Sequence, residues 1–215
     1  MKVQSNRIPG GRCIDYQKEI SFTFNGRKVT GYKGDTIASA LLANDIKVVG
    51  RSFKYSRPRG IVAAGAEEPN AIFQVGHKDS SIPNVRGTVQ EIYQDMICRS
   101  TNGWPSVDFD VMALVGKLFG SIMSAGFYYK TFMFPARIWR IYEFFIRLGA
   151  GLGRAPTVAD SSIYDKINHH VDLLVVGAGP SGLSAALAAE MSGARVLLID
   201  DQMELGGSLL NIAVG

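Results

Sequence analysis

Gly177, Gly179 and Gly182 stand in the run Gly177-Ala178-Gly179-Pro180-Ser181-Gly182, and Asp200 follows 18 residues after the last of them. Three glycines at this spacing have three different steric tasks. Gly177 permits a tight turn, Gly179 lets the backbone approach a phosphate, and Gly182 lets a helix pack closely on a strand. A helix opening at Pro180 loses nothing by the absent proline N–H. Its positive end and the Ser181 amide would face a pyrophosphate. An acid at an offset of roughly 20 residues is placed to accept hydrogen bonds from ribose hydroxyls. Its charge would repel a 2′-phosphate, which favours NAD or FAD over NADP. Asp201 and Gln202 follow at the mouth of the same site, within reach of ribose or adenine. Gly206-Gly207-Ser208 can fold back over the pyrophosphate and offer the Ser208 hydroxyl. Taken singly, each glycine could serve only a turn, and Asp200 only a helix cap or a solvated strand end. Their joint occurrence favours dinucleotide binding, so the candidate cofactor-binding set is Gly177, Ala178, Gly179, Pro180, Ser181, Gly182, Asp200, Asp201, Gln202, Gly207 and Ser208. No catalytic residue and no metal ligand is assigned: His77, His169 and His170 do not converge with cysteines or carboxylates.

These residues need a strand, a helix and a second strand around them, and the flanking sequence supplies the pattern. Val171 to Val176 is short and β-branched, Leu183 to Ser192 is alanine-rich, and Ala194 to Ile199 is apolar up to Asp200. This is a β-α-β order. Towards the N-terminus, Glu19 to Thr30 alternates apolar and polar residues around Asn25-Gly26, the favoured pair for a tight hairpin. Asp35 can cap a helix beginning near Thr36, on which Ile37, Leu41 and Leu42 recur at helical spacing. Lys47 to Val49 reads as a short strand and Ala71 to Val75 as another, and residues 84 to 93 add a further one. Together they predict a compact α+β module of about 80 residues. Between module and motif, Trp104 to Ala150 is aromatic-rich. An amphipathic helix is expected after Pro135, with Ile138, Ile141, Phe145 and Leu148 near one face, ended by Gly149-Ala-Gly-Leu-Gly153.

Composition narrows the classes. With 215 residues, 47% of them apolar, the chain can build a sizeable core, which excludes general disorder. The charge of +4 arises from 23 basic and 19 acidic residues and does not point to nucleic acid. The basic stretch holding Arg51, Lys54, Arg57 and Arg59 reads equally as a solvated loop or as a place for an anionic cofactor or acidic partner subunit. Cys13 and Cys98 have no metal-ligand spacing and define no disulfide framework, consistent with a cytoplasmic protein bearing unpaired thiols. Val111 to Phe134 is the best membrane candidate. Lys117, Lys130 and three glycines interrupt it, so it is expected to bury against the rest of the protein or another subunit instead of spanning a bilayer.

Three further segments carry a resemblance: Gly31-Tyr-Lys-Gly-Asp-Thr-Ile-Ala-Ser-Ala-Leu-Leu-Ala-Asn44, Val49-Gly-Arg-Ser-Phe-Lys-Tyr-Ser-Arg-Pro-Arg-Gly60 and Gly65-Ala-Glu-Glu-Pro-Asn70. With Gly126 to Met133 and the glycine motif, they make the chain similar to the N-terminal part of the alpha subunit of heterotetrameric sarcosine oxidase. The resemblance implies that residues 15–95 form an α+β, [2Fe–2S] ferredoxin-like domain. Residues 96–168 then form an aromatic-rich helical connector, and residues 169–215 the first β-α-β unit of an α/β Rossmann-type FAD/NAD(P)-binding domain. Cluster-binding relatives place cysteines after the Arg-Pro-Arg-Gly element. Ile61 to Glu68 contains none, so a cluster-free scaffold is expected. The resemblance further implies NAD in this chain, with Ser181, Asp200, Asp201, Gln202 and Ser208 among its contacts. FAD and covalent FMN would belong to the beta subunit or its interface, and gamma and delta subunits complete the complex. Sarcosine would be oxidatively demethylated to glycine on another polypeptide, with hydrogen peroxide formed and the one-carbon unit passed to tetrahydrofolate or released as formaldehyde. Since a complete Rossmann domain needs further strands, a chain ending at Gly215 reads as a fragment or truncated product. Two alternatives stand beside this reading: a subunit of a related FAD-dependent amino-acid or opine dehydrogenase, and a noncatalytic assembly module.

Overall fold

The computed structural model describes residues 4–11, 13–119 and 135–212. They fall into two compact units, Met1–Ala159 and Asp160–Gly215.

The first unit is organised by a five-stranded sheet. β1 (Asp15–Phe24) and β2 (Arg27–Lys33) form the expected hairpin, with Asn25 and Gly26 both at positive φ (48° and 80°), as a tight turn requires. Alternation along these strands turns Phe22, Phe24 and Val29 inward. α1 (Ile37–Ala43) lies over the sheet and buries Ile37, Ala38, Ala40, Leu41 and Ala43. Its cap is Thr36, whose hydroxyl accepts from the Ser39 N–H at 3.2 Å, one residue beyond the Asp35 expected from the sequence. Asp35 is fully buried and does different work. Its carboxylate accepts from the Tyr32 N–H (2.8 Å), the Ser39 hydroxyl (2.7 Å) and both terminal nitrogens of Arg7 (3.1 and 2.6 Å). Arg7 also lies over the rings of Tyr16 and Tyr32, at 5.9 and 5.0 Å. The N-terminal segment is thus tied to the hairpin and the helix by one bidentate pair.

β3 (Gly50–Arg51) and β4 (Pro58–Arg59) form a two-residue ladder, so the strand expected at Lys47 to Val49 begins later, at Gly50. β5 (Ile72–Val75), β6 (Ile82–Arg86) and β7 (Ile97–Ser100) complete the main sheet, in the order β2-β1-β7-β5-β6. The β1–β7 pair is parallel, and the other pairs are antiparallel. The strand expected over residues 84–93 is displaced to Ile82–Arg86, and the central β7 carried no legible pattern. The core gathers Phe22, Phe24, Ile37, Leu41, Phe73, Ile92, Met96 and Cys98, with Phe24 and Phe73 edge-to-face at 5.5 Å.

α2 (Met112–Phe119) starts beside Asp110, which accepts from the N–H groups of Trp104 and Met112, each at 3.1 Å, and from the Ser56 hydroxyl. A short 3-10 turn (Ala136–Ile138) after Pro135 leads into α3 (Trp139–Ala150), as the sequence predicts. The glycines at and beyond its end also set packing. A Cβ at Gly149 would lie 2.9 Å from the Phe53 ring, and one at Gly153 would lie 2.6 Å from Pro83. Close approach, not helix termination alone, requires glycine there. Most of the Val111–Phe134 stretch lies outside the described residues; among the described ones, no helix is long and apolar enough to cross a membrane.

The second unit is a β-α-β unit. β8 (Leu173–Val176) and β9 (Val196–Ile199) pair in parallel, from Leu173 opposite Val196 to Val176 opposite Ile199, and α4 (Pro180–Met191) connects them. Arg195 and Asp172 clasp the entry ends of both strands: the Arg195 N–H and guanidinium donate to the Asp172 carboxylate at 2.9 to 3.1 Å.

Candidate functional site

Everything placed at the glycine turn follows from strand order. β8 ends at Val176, the turn occupies Gly177 to Gly179, and α4 opens at Pro180 with Gly179 as its cap. Gly177 has φ +99°, a conformation that favours glycine. Gly182 is required by contact, since a Cβ there would run into the Gly177 carbonyl oxygen. Gly179 is unlike either. Its φ of −70° suits any residue, and a Cβ would meet nothing within 4 Å. Proline at the first helical position leaves no donor wanting, and the Ser181 and Gly182 N–H groups belong to the first turn, where no intrahelical carbonyl is available.

β9 delivers Asp200 to the same turn. Its carboxylate accepts from the Ala178 N–H and, at 2.8 Å, from the Gln202 N–H. These two bonds hold the carboxyl below its ordinary range and outweigh a small opposing effect of burial. A third piece closes over the turn: the Gly206 N–H donates to the Ala178 carbonyl at 2.9 Å, and a Cβ at Gly207 would come within 3.0 Å of the Gly179 Cα. Ala178 and Gly206 are both buried. The structure therefore brings Gly177, Ala178, Gly179, Asp200 and Gly207 together. Asp201 is exposed and accepts from the Gln202 side chain at 3.1 Å, and Ser208 is exposed in the 3-10 turn Gly207–Asn211. Gly206, expected in the loop that folds back but not among the cofactor-binding residues, is the one that bonds the turn. The Gly-Gly pair after the acid was its signal.

The basic loop of the first unit is partly committed. The Arg51 guanidinium donates to the carbonyls of Val107 (2.6 Å), Ser56 (3.0 Å) and Asp108 (2.9 Å), and so fastens the β3–β4 ladder to the 107–108 turn. Lys54 and Arg57 each lie 4.8 Å from the centre of the Tyr55 ring.

Comparison with known proteins gives first a class. Residues 17–103 match the family model of the 2Fe-2S iron-sulfur cluster binding domain, and residues 172–215 that of the FAD dependent oxidoreductases. The more particular match covers almost the whole chain. It is 53% identical over 210 residues to the alpha subunit of sarcosine oxidase from Rhizobium meliloti, spanning 97% of this chain and 21% of that protein. It is 33% identical over 199 residues to the alpha subunit of sarcosine oxidase from Corynebacterium sp. strain U-96, spanning 93% of this chain and 16% of that one. An opine oxidase subunit of Agrobacterium tumefaciens matches over 53 residues at 42% identity, 25% of this chain and 10% of that protein. The chain is a homologue of the N-terminal part of sarcosine oxidase alpha subunits and spans about a fifth of the length of the most similar of these relatives.

The family model over residues 17–103 implies an iron–sulfur cluster, and the side chains do not fit one. The cluster takes four thiolates, and the chain has two cysteines. Cys98 is sealed in the core on β7, where burial pushes its thiol pKa well up, while Cys13 is exposed ahead of β1. Among the described residues, no group of three or more His, Cys, Asp or Glu side chains is placed to hold a metal.

Proposed function

We propose that this chain is the NAD-binding N-terminal portion of the alpha subunit of a sarcosine oxidase complex, a cytoplasmic flavoenzyme that works with beta, gamma and delta subunits. In this reading residues 15–95 form the cluster-free ferredoxin-like domain, 96–168 the connector, and 169–215 the opening of a Rossmann-type domain. The observation that carries dinucleotide binding is Gly179: neither its backbone angle nor any neighbouring atom demands glycine, and the space beyond it is open. A pyrophosphate there would lie against the Ser181 and Gly182 amides at the positive end of α4. The Asp200 carboxylate, fixed beside the turn, would accept from the adenosine ribose. Asp201, Gln202 and Ser208 stand around the mouth. A bound nicotinamide or flavin ring would supply two-electron chemistry. The residues of this chain would bind and orient the dinucleotide, and none is assigned to the oxidation of sarcosine.

A second reading places FAD in the motif, as in a related amino-acid or opine dehydrogenase. The FAD dependent oxidoreductase family model over residues 172–215 favours it. One experiment separates the two. The protein is purified with the subunits that accompany it, denatured, and its small molecules identified by mass spectrometry, for wild type and Asp200→Ala. Loss of NAD in the variant supports the preferred reading, and loss of FAD supports the second. If neither changes, the motif is structural and the chain an assembly module.

A further inference from the structure

The segment from Gly60 to Ala71 contains little regular structure, yet one side chain gathers it. Glu68 is 1% exposed. Its Oε2 accepts from the N–H groups of Val62 (2.8 Å) and Ala63 (2.7 Å), and its Oε1 from those of Asn70 (2.7 Å) and Ala71 (3.1 Å). The Asn70 side chain donates to the Gly60 carbonyl at 2.9 Å and closes the base of the loop. The 3-10 turn Gly65–Glu67 between the two pairs of amides is tied to its surroundings by the Thr88 hydroxyl, which donates to the Gly65 carbonyl, and by Arg86, which donates to that of Ala66. No ion pair reaches Glu68 among the described residues.

A buried carboxylate without a counter-ion is costly unless hydrogen bonds replace its water. Four donors on two oxygens match the acceptor capacity of an ionised carboxylate. Burial alone would push its pKa up, but the four N–H groups more than offset that and hold it below the ordinary range. The arrangement is also reciprocal. Without the carboxylate, two pairs of backbone donors from either side of the loop would face one another across its centre.

We propose that the Glu68 carboxylate is the anion on which the Gly60–Ala71 loop folds, so that this domain of iron–sulfur type takes its shape with no iron or sulfide. This role of Glu68 is independent of what the glycine motif binds. Glu68→Gln is the decisive substitution, because it keeps the shape and removes the charge. One end of the side chain then presents an NH2 to two N–H groups, and one pair of amides loses its acceptor.

The test uses the protein purified from its own cell with its accompanying subunits. Iron and acid-labile sulfide are measured as purified and after anaerobic incubation with ferrous iron and sulfide. Amide exchange is then followed in wild type, Glu68→Gln and the exposed-neighbour control Glu67→Gln. The expected result is no stoichiometric iron or sulfide in either preparation, together with exchange about tenfold faster or more at Val62, Ala63, Asn70 and Ala71 in Glu68→Gln alone. Stoichiometric cluster bound to this domain, or unchanged protection of those four amides in Glu68→Gln, overturns the proposal. Should Glu68→Gln not accumulate, wild type is read while the pH is lowered. Loss of protection at those four amides before the β1 and β5 amides supports the anion, and simultaneous loss overturns it.

Discussion

The two units invest their apolar residues differently. Among the described residues of the first, 13 buried side chains form one cluster between sheet and helix. In the second, Ala178 and Gly206 are the only buried residues among those described, and both belong to the glycine turn and the segment closing over it. Leu174, Val176, Leu187 and Ile199 are exposed, although strands of a parallel sheet ordinarily bury both faces. The first unit is therefore held by its core. Among the described residues, the second shows strand pairing, a clasp at one end and a carboxylate at the other, and its two buried residues lie at the glycine turn and the segment closing over it.

The sharpest way to break this contrast is to make equivalent truncations in both units. Phe73→Ala removes a ring packed against Phe24 in the core and is expected to cost about 3–5 kcal/mol. Leu187→Ala, on the exposed helix of the second unit, should stay within about 0.5 kcal/mol. Denaturant titration of the 215-residue chain measures both. A large loss from Leu187→Ala would mean that α4 is packed after all, and the contrast would fail. A binding measurement gives the complementary result. Gly179→Val fills the open space in front of the turn, so dinucleotide binding should fall by roughly 100-fold or more, about 2.7 kcal/mol at least, with the melting of the first unit unchanged. Binding that survives Gly179→Val would displace the pyrophosphate from this turn. Asp200→Asn keeps an acceptor but removes the charge, and a smaller loss is expected, about tenfold.

What could be read from the sequence follows the same division. The geometry of the candidate site was legible because its requirements are local: Gly177 has a positive φ, a Cβ at Gly182 would run into the turn, and Asp200 follows the end of the second strand. The Asn25-Gly26 hairpin and the helix after Pro135 were legible for the same reason. β7 was not. Ile97-Cys-Arg-Ser100 has no alternation to mark it, and only distant partners upstream, such as Phe24 opposite Cys98, and the neighbouring β5 make it a central strand. Asp35 looked like a cap because Asp commonly caps helices. Its burial against Arg7 depends on a segment 28 residues away. Glu68 lies in a segment that carries the resemblance, but its role was not legible, since the four amides around it come from both sides of the loop and are brought together only by the fold.

The smallest effect concerns pH, and it compares one carboxylate from each unit. Glu68 and Asp200 are both held by backbone N–H groups, and both have pKa values lowered by those bonds. A group whose folded pKa lies below its unfolded value adds stability above the unfolded pKa, near 4 for these acids, and that contribution is lost as pH falls through the folded value. Stability should therefore show no contribution from either group's titration between pH 6 and 8, roughly two units and more above those values. On acidification the loop around Glu68 should loosen first in consequence, because four donors become mismatched in a site closed to water. Around Asp200, water can replace the carboxylate at the Ala178 and Gln202 amides, so the same titration there should be barely measurable. Comparing wild type with Glu68→Gln and Asp200→Asn by denaturant titration at pH 7 and pH 4 tests this ordering. Glu68→Gln should reduce the acid dependence of the first unit, and Asp200→Asn should leave it unaltered. An acid dependence that follows Asp200 instead would mean that the glycine turn is the more closed of the two sites, and that the second unit owes more to its carboxylate than to strand pairing.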